Sequence, residues 1–260
     1  MDLGIRGRRA LVLGSSQGLG LACARALSRE GVKVFLNGRD EAKLRKTVAE
    51  VMSENPASDV NFIAADMTAE TGRDAILKAC PDVDILVTNN AGPPPGALEN
   101  WDEAALLGAM GANFIPAALL IRAYIPGMRA RGFGRIVNIT SAMVKTPHYM
   151  MGLSTSARAA LTALSKAISG EVVADNVTIN NLLPERIDTP RQEFMIRRRM
   201  EKEGIDWDEA RRRTELSIKA GRLGRPEEFG DACAYLCSAQ ASYISGQNLQ
   251  LDGGTYEGLV

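Results

Sequence analysis

Two clusters of residues could do chemistry. One is the small-residue loop Gly14-Ser15-Ser16-Gln17-Gly18-Leu19-Gly20, and the other is the turn Asn37-Gly38-Arg39. The loop follows the apolar run Ala10-Leu11-Val12-Leu13. It leads into helical spacing, with Leu19, Cys23, Ala26 and Leu27 on one face. A strand that feeds a helix through such a turn cradles a phosphate. The glycines let the backbone approach, and the helix N-terminus offers unpaired N–H donors with partial positive charge. The spacing is G-x-x-x-G-x-G rather than the commoner G-x-G-x-x-G, and the competing reading is a flexible turn rich in glycine. A dinucleotide fold commonly places a carboxylate after the second strand for the ribose 2′-hydroxyl. Here Arg39 stands nineteen residues after Gly20. A guanidinium holds a 2′-phosphate that a carboxylate would repel. NADP(H) is therefore favoured, with NAD(H) possible and a solvated turn arginine as the plain alternative. Asp40 fits as the cap of the next helix.

The elements that must position these residues alternate along the chain. Strands are expected at Ala10–Leu13, Val32–Leu36, Val60–Ala65, Asp84–Val87, Arg135–Ile139, Val177–Leu183 and Asn248–Leu251. Helices are expected after the glycine loop (ended by Gly31), from Asp40, from Thr68 or Ala69, across Phe114–Arg131, across Leu153–Val173 and from Pro226 to Cys237. This alternation predicts an α/β fold, a Rossmann-like doubly wound parallel sheet of about seven strands with helices on both faces, because parallel strands need crossovers. No linker or repeat divides residues 1–260, so one dinucleotide-binding domain is expected.

Composition narrows the function. The 260 residues are 45% hydrophobic and 24% charged with formal net charge zero, which argues against a general nucleic-acid surface. The N-terminal stretch carries Asp2, Arg6, Arg8 and Arg9 and no apolar core, so no signal peptide is expected and the location implied is cytoplasmic. The best membrane candidate is Ala117–Ile121, short and bounded by Pro116 and Arg122. Cys23, Cys80, Cys233 and Cys237 form no C-x-x-C pair, and His148 is the sole histidine, so no metal site is expected and the cysteines read as buried apolar residues.

With Asp66 after the third strand, Asn89-Asn90-Ala91-Gly92 after the fourth and Leu251-Asp252-Gly253-Gly254 near the C-terminus, the chain resembles the short-chain dehydrogenase/reductase family over nearly its whole length. The segment Arg222-Leu223-Gly224-Arg225-Pro226-Glu227-Glu228 looks like the 3-oxoacyl-carrier-protein reductase and sugar-alcohol dehydrogenase type. The resemblance implies that Asp66 and Met67 lie beside the adenine and that Asn90, Ala91 and Gly92 lie along the cofactor. It also implies that Asn113 belongs to a proton relay, that Ser141 polarises the substrate carbonyl, and that the protein is a homo-oligomer, a tetramer or dimer. Pro184, Ile187 and Thr189 match the family's segment near the nicotinamide, with Glu185 where that segment has glycine; Leu13 stands where the family has threonine.

The departure is at the catalytic centre. The family carries a tyrosine and, four residues on, a lysine; counted from Ser141, those places hold Ser154 and Arg158. None of Tyr124, Tyr149, Tyr235, Tyr243 and Tyr256 has a lysine four residues later. A serine hydroxyl is a weak acid, and arginine stays charged, so neither shuttles a proton near neutral pH, although Arg158 can still bind the cofactor by holding the nicotinamide ribose hydroxyls. Three readings stand. Tyr149 or His148, on the loop before Ser154, supplies the proton; or Ser141 and Arg158 stabilise an oxyanion that needs little proton help; or the chain binds NADP(H) without turnover. His148 and Tyr149 read equally as substrate-loop residues.

The remaining segments are less specific. Gly92-Pro93-Pro94-Pro95-Gly96 reads as a stiff loop bordering the substrate side. Residues 190–220 read as a helical substrate lid of two helices, the second opened by Asp206-x-x-Glu209. Its Arg197-Arg198-Arg199 and Arg211-Arg212-Arg213 are either a docking surface for an acidic substrate or, as favoured, a helix face balanced by Glu201, Glu203, Asp208, Glu209 and Glu215. The expected function is an NADP(H)-dependent oxidoreductase, a carbonyl reductase or alcohol dehydrogenase with an atypical site. The expected partners are a small-molecule carbonyl or alcohol, with no nucleic acid and no membrane. The alternative is a non-catalytic NADP(H)-binding protein.

Overall fold

The structure, a computed structural model, describes residues 1–259. Its strands are β1 (Arg9–Val12), β2 (Lys33–Gly38), β3 (Val60–Ala64), β4 (Ile85–Thr88), β5 (Gly134–Ile139), β6 (Val177–Pro184) and β7 (Asn248–Leu251). Its helices are α1 (Gly18–Arg29), α2 (Glu41–Glu54), α3 (Glu70–Ala79), α4 (Glu103–Asn113), α5 (Ile115–Ala130), α6 (Gly152–Val172), α7 (Pro190–Glu203), α8 (Trp207–Leu216) and α9 (Pro226–Cys237). The strands form one seven-stranded sheet in the order β3-β2-β1-β4-β5-β6-β7. Every pairing is parallel.

Both faces are covered, which is why the central strands read as unbroken apolar runs. On one side Cys23 and Leu27 of α1, Leu44 of α2 and Phe229 of α9 pack on Val12, Val34 and Leu36. On the other, Ile76 of α3, Leu120 and Tyr124 of α5 and Leu161 of α6 pack on Leu11, Leu86 and Ile136. All four cysteines are buried. The strand order reverses between β1 and β4, so a crevice opens at their carboxyl ends, the place where such sheets take ligands.

α4 was not expected. Asp102 caps it by accepting from the Ala105 N–H at 2.8 Å. Its weak signal has a physical cause: Gly108 and Gly111 lower helix propensity, and Leu106 and Leu107 face outward, so no amphipathic stripe marks it. α4 and α5 together run through Glu103–Ala130, 28 residues of hydropathy 1.9 in the most apolar window, long and apolar enough to cross a membrane by length and composition. The expectation that confined the apolar stretch to Ala117–Ile121 is corrected. It treated Pro116 as a boundary, but Pro116 sits in the first turn of α5, where proline fits. The inner face of α5, with Leu120, Ile121, Tyr124 and Met128, is buried in the core.

The segment over the carboxyl edge folds as α7 and α8 around its own small cluster of Ile196, Ala210, Ile218 and Leu223. Asp206 accepts from the Glu209 N–H at 2.9 Å. The reciprocal half of the expected capping box is absent, because the Glu209 carboxylate is taken by Arg212 and Arg213.

Candidate functional site

Each loop glycine has a separate steric reason. Gly14 has φ +56°, and a Cβ there would lie 2.8 Å from the Asn89 carbonyl oxygen. Gly18 has φ +60°; at Gly20 a Cβ would lie 2.6 Å from the Gly14 oxygen. Ser15 locks the loop to β2: its hydroxyl donates to Val12 O at 2.7 Å and accepts from the Asn37 N–H at 3.0 Å. The Asn89 amide donates to Gly14 O at 2.9 Å, joining the loop to the end of β4. Ser16 borders Gly38, and Leu19 packs against the core. Gln17 is the N-cap of α1 without a side-chain capping bond; its side chain instead accepts from the Lys43 ammonium.

Arg39 is exposed at the end of β2. The Asp66 carboxyl is held below its ordinary pKa by hydrogen bonds from the Thr68 hydroxyl and N–H, with the Arg39 charge a smaller cause. Gly38 O accepts from the Ala65 N–H at 2.9 Å, so Arg39 and Asp66 follow one another at the same end of the crevice. Met67 beside them is buried. Asp40 caps α2 through the Lys43 N–H, as expected.

At the other end, α6 presents Ser154 and Arg158. The Arg158 Nη1 donates to Ile139 O at 2.8 Å and Thr140 O at 3.0 Å, its Nη2 to Asn90 O at 3.2 Å, and its Nε to the Ser154 hydroxyl at 3.3 Å. One side chain thus ties the ends of β4 and β5 to α6. Burial, then the nearby Arg191 charge, pushes its pKa down to about 10, so it remains cationic at neutral pH. Gly92 backs directly onto this pair: a Cβ there would sit 3.0 Å from Ser154 Oγ. Ser141 follows Thr140; its hydroxyl accepts from the Met143 N–H at 3.2 Å and keeps its own proton to donate. Asn113 closes α4, donating to Ala91 O at 3.4 Å, while its buried Oδ1 has no hydrogen-bond partner among the described residues. Asn90 donates to Ala112 O at 2.8 Å.

Below these residues runs a polar ladder that the sequence reading missed. Thr88 donates to Asn138 at 2.6 Å, Asn138 donates to Ser165 at 2.9 Å and Asn181 at 3.2 Å, and Asn181 donates to Asn248 at 2.8 Å. Its only sequence signal is asparagines inside apolar strands. Such a network, buried except at the exposed Asn248, fixes the strand ends that carry the site.

Tyr149 lies apart from this cluster. Its hydroxyl oxygen accepts from the Leu98 N–H at 3.0 Å, its ring tilts against Trp101 at 6.0 Å, and among the described residues no hydrogen bond links it to Ser141, Ser154 or Arg158. Trp101 lies over Gly152, where a Cβ would meet the indole at 2.0 Å. His148 is exposed. Thr189 approaches Gly18, and Ile187 bridges to Gly224 just after Pro184 ends β6. Glu185, where the family's segment has glycine, does not have a positive φ; the left-handed residue of this segment is Arg186, at φ +54°. Glu185 is paired with Arg186 at 3.4 Å.

A family model described as Enoyl-(Acyl carrier protein) reductase matches residues 14–256. The chain belongs to the short-chain dehydrogenase/reductase family. Among curated relatives it is 29% identical to the NADPH-dependent reductase BacG of Bacillus subtilis, over 97% of this chain and 99% of that protein. It is 30% identical to the 3-oxoacyl-[acyl-carrier-protein] reductase FabG of Vibrio cholerae, over 98% and 99%. Among solved structures, L-sorbose reductase from Gluconobacter frateurii, complexed with NADPH and L-sorbose, superposes with a TM-score of 0.93 at 28% identity, covering all of both chains. The seven-stranded doubly wound sheet is the family's fold.

Proposed function

We propose that the protein is an NADP(H)-dependent reductase of small-molecule carbonyls, able in principle to oxidise the corresponding alcohols. The observation that carries this reading is the pairing of the glycine cradle with Arg39. The Cβ-intolerant Gly14 and Gly20 leave main-chain N–H groups for a pyrophosphate, and Arg39 offers a guanidinium where a 2′-phosphate would lie. The NADPH dependence of the related BacG and the NADPH bound to the related L-sorbose reductase support the same choice. The bound nicotinamide supplies or accepts the hydride. Ser141 donates a hydrogen bond to the substrate oxygen, and Arg158 stabilises negative charge that develops there. Ser154 and Arg158 stand where the family carries tyrosine and lysine. Tyr149, whose hydroxyl now stands apart from this cluster on the Leu98 N–H, serves as the acid when substrate binding draws its loop toward Ser141. Asn113, Asn90, Ala91, Gly92, Pro184, Ile187 and Thr189 line the nicotinamide side; Asp66 and Met67 line the adenine side. α7 and α8 act as the lid.

The exposed Leu106, Leu107, Ile115 and Leu119 of α4 and α5 favour association of copies through this face. Sedimentation equilibrium tests that part, a monomer being the contrary result.

A second reading has its own observation. Four of the N–H groups of Arg158 are already committed to protein acceptors, the pattern of a structural brace. On that reading the chain binds NADP(H) without turnover. NADPH consumption with a broad panel of ketones and aldehydes separates the two. Consumption above the protein-free control supports the reductase; tight NADPH binding with no consumption supports the binder.

A further inference from the structure

The lid neutralises most of its arginines. Arg199 pairs with Glu203, Arg211 with Asp188 and Glu215, and Arg212 and Arg213 with Glu209. Arg197 lies over the Trp207 ring. Arg197 has no ion pair among the described residues, but the stripe that runs to the crevice is Arg191, Phe194 and Arg198 of α7, spaced i, i+3, i+7 on one helix face. The guanidiniums of Arg191 and Arg198 lie 5.3 and 6.0 Å from the centre of the Phe194 ring. Neither has an ion-pair partner among the described residues. The nearby acids are spoken for: Asp188 is held by Arg211 at 2.7 Å and Glu185 by Arg186 at 3.4 Å. Glu193, on the first turn of α7, pairs with none of them.

This stripe reaches the reacting end of the crevice. Arg191 Nη2 donates to Pro93 O at 3.3 Å. The residue before Pro93 is Gly92, whose Cβ position is 3.4 Å from Arg158 Nη2. Two guanidiniums from different elements, the lid and α6, therefore bear on adjacent residues of one loop. Among the described residues their hydrogen bonds go only to neutral carbonyl and hydroxyl oxygens. A guanidinium has five N–H donors, and Arg158 has one left on Nη2 after its four bonds. Two cations that bear on one loop disfavour each other, and an anion between them offsets that cost.

We propose that the crevice takes a substrate bearing an oxyanion, a carboxylate or phosphate close to the reacting carbonyl, and that Arg191 is its specificity-determining contact, with Arg158 facing it. This rests on the reductase reading above. Arg191 binds the anion when the lid lies over the crevice, and Phe194 offers an apolar surface to the rest of the substrate. Planar, forked donors of this kind suit carboxylate and phosphate oxygens. The other source of an oxyanion at this place is the cofactor's own pyrophosphate. The loop that Arg191 touches lies beyond Gly92 on the substrate side, which favours the substrate.

The test is calorimetry on the full-length protein saturated with NADP⁺, which cannot deliver a hydride, so binding is read without turnover. The probes are pyruvate, acetoacetate and benzoylformate, each beside its methyl ester, with the wild type, Arg191→Gln and Arg191→Lys. The expected result is that at least one acid binds about tenfold or more tightly than its ester, about 1.4 kcal/mol. Arg191→Gln should erase that preference, and Arg191→Lys should restore part of it, with ester affinity little changed. Esters binding as well as acids, or none of the six binding, overturns the proposal. A loss of NADP⁺ affinity in Arg191→Gln that accounts for the whole effect also overturns it, and assigns Arg191 to the pyrophosphate. Wild-type protein that binds no NADP⁺ overturns the reductase reading and this proposal with it.

Discussion

Arg158 donates through Nε to the Ser154 hydroxyl at 3.3 Å, one turn back along α6. The hydroxyl is thus an acceptor for a permanent cation, and the cation is aimed by three main-chain carbonyls at the ends of β4 and β5. Such a pair can orient and stabilise charge. It cannot pass a proton, because the hydroxyl is far too weak an acid and the guanidinium does not deprotonate near neutral pH.

Arg158→Ala should therefore damage two things at once. It strands the carbonyls of Ile139, Thr140 and Asn90 and removes the site's cation. Hydrogen bonds to charged groups contribute about 1.5–3 kcal/mol each, so a fall in Tm of several degrees is expected, roughly 2–4 °C per kcal/mol for a chain of this size. NADPH affinity or kcat/KM should fall with it. Arg158→Lys should recover charge but not the forked contacts, leaving Tm low. An unchanged Tm in Arg158→Ala, measured by calorimetry, would remove the brace.

Ser154→Ala and Tyr149→Phe should separate cleanly. Loss of the Ser154 hydroxyl removes one long, 3.3 Å acceptor contact to Arg158 and should cost about 1.5 kcal/mol, the low end for a bond to a charged group. Loss of the Tyr149 proton should lower kcat by roughly 10²–10⁴ while NADPH affinity holds. Steady-state kinetics with calorimetry would decide; turnover abolished by Ser154→Ala, or untouched by Tyr149→Phe, assigns the acid elsewhere.

How much was legible in the sequence follows from what each signal depends on. The strand–glycine–helix order depends on local spacing, and α9 and β7 fall on their expected ranges. The Gly14-to-Gly20 cradle was equally local. α4 was hidden because its apolar residues face outward, so no periodic stripe betrays it. Arg191 was hidden because its meaning comes from Pro93, nearly a hundred residues earlier in sequence and joined to it only by the fold. Arg158 was visible as a type, but its four acceptors lie on three separate segments. The lid arginines were read correctly where helical neighbours supply carboxylates, as for Arg212 and Arg213, and missed at Arg191 and Arg198, where they do not.

Arg39→Asp should reverse cofactor preference. Wild type should bind NADPH more tightly than NADH by about tenfold to a hundredfold, the worth of a charge-assisted hydrogen bond or two. The variant should favour NADH, because the carboxylate repels a 2′-phosphate and accepts from a 2′-hydroxyl. Calorimetric Kd values for both cofactors test this, and equal affinity in the wild type would contradict it.

The lid should loosen in acid. The Glu209 carboxyl is held at about 2 by hydrogen bonds from Arg212 and Arg213, well below the roughly 4.3 of an unfolded glutamate. An acid lowered in this way stabilises the fold above its unfolded pKa, and that contribution is lost as pH falls from there through about 2. In a Trp101→Phe background, Trp207 on α8 is the remaining tryptophan of two. Its emission should be steady from pH 8 to about 5 and change between about 4.5 and 2. A change centred near pH 6, or none by pH 2, would assign lid stability to other contacts.

The most direct test of the central claim is label transfer. The protein is incubated with NADPH carrying deuterium at the transferable nicotinamide position and with the carbonyl panel, and alcohol products are read by mass spectrometry. The account predicts one deuterium on the new carbinol carbon of at least one product, strongly reduced in Arg158→Ala and in Tyr149→Phe. Tight NADPH binding with no labelled alcohol from any carbonyl would contradict it, and would leave a protein that holds the cofactor without using it.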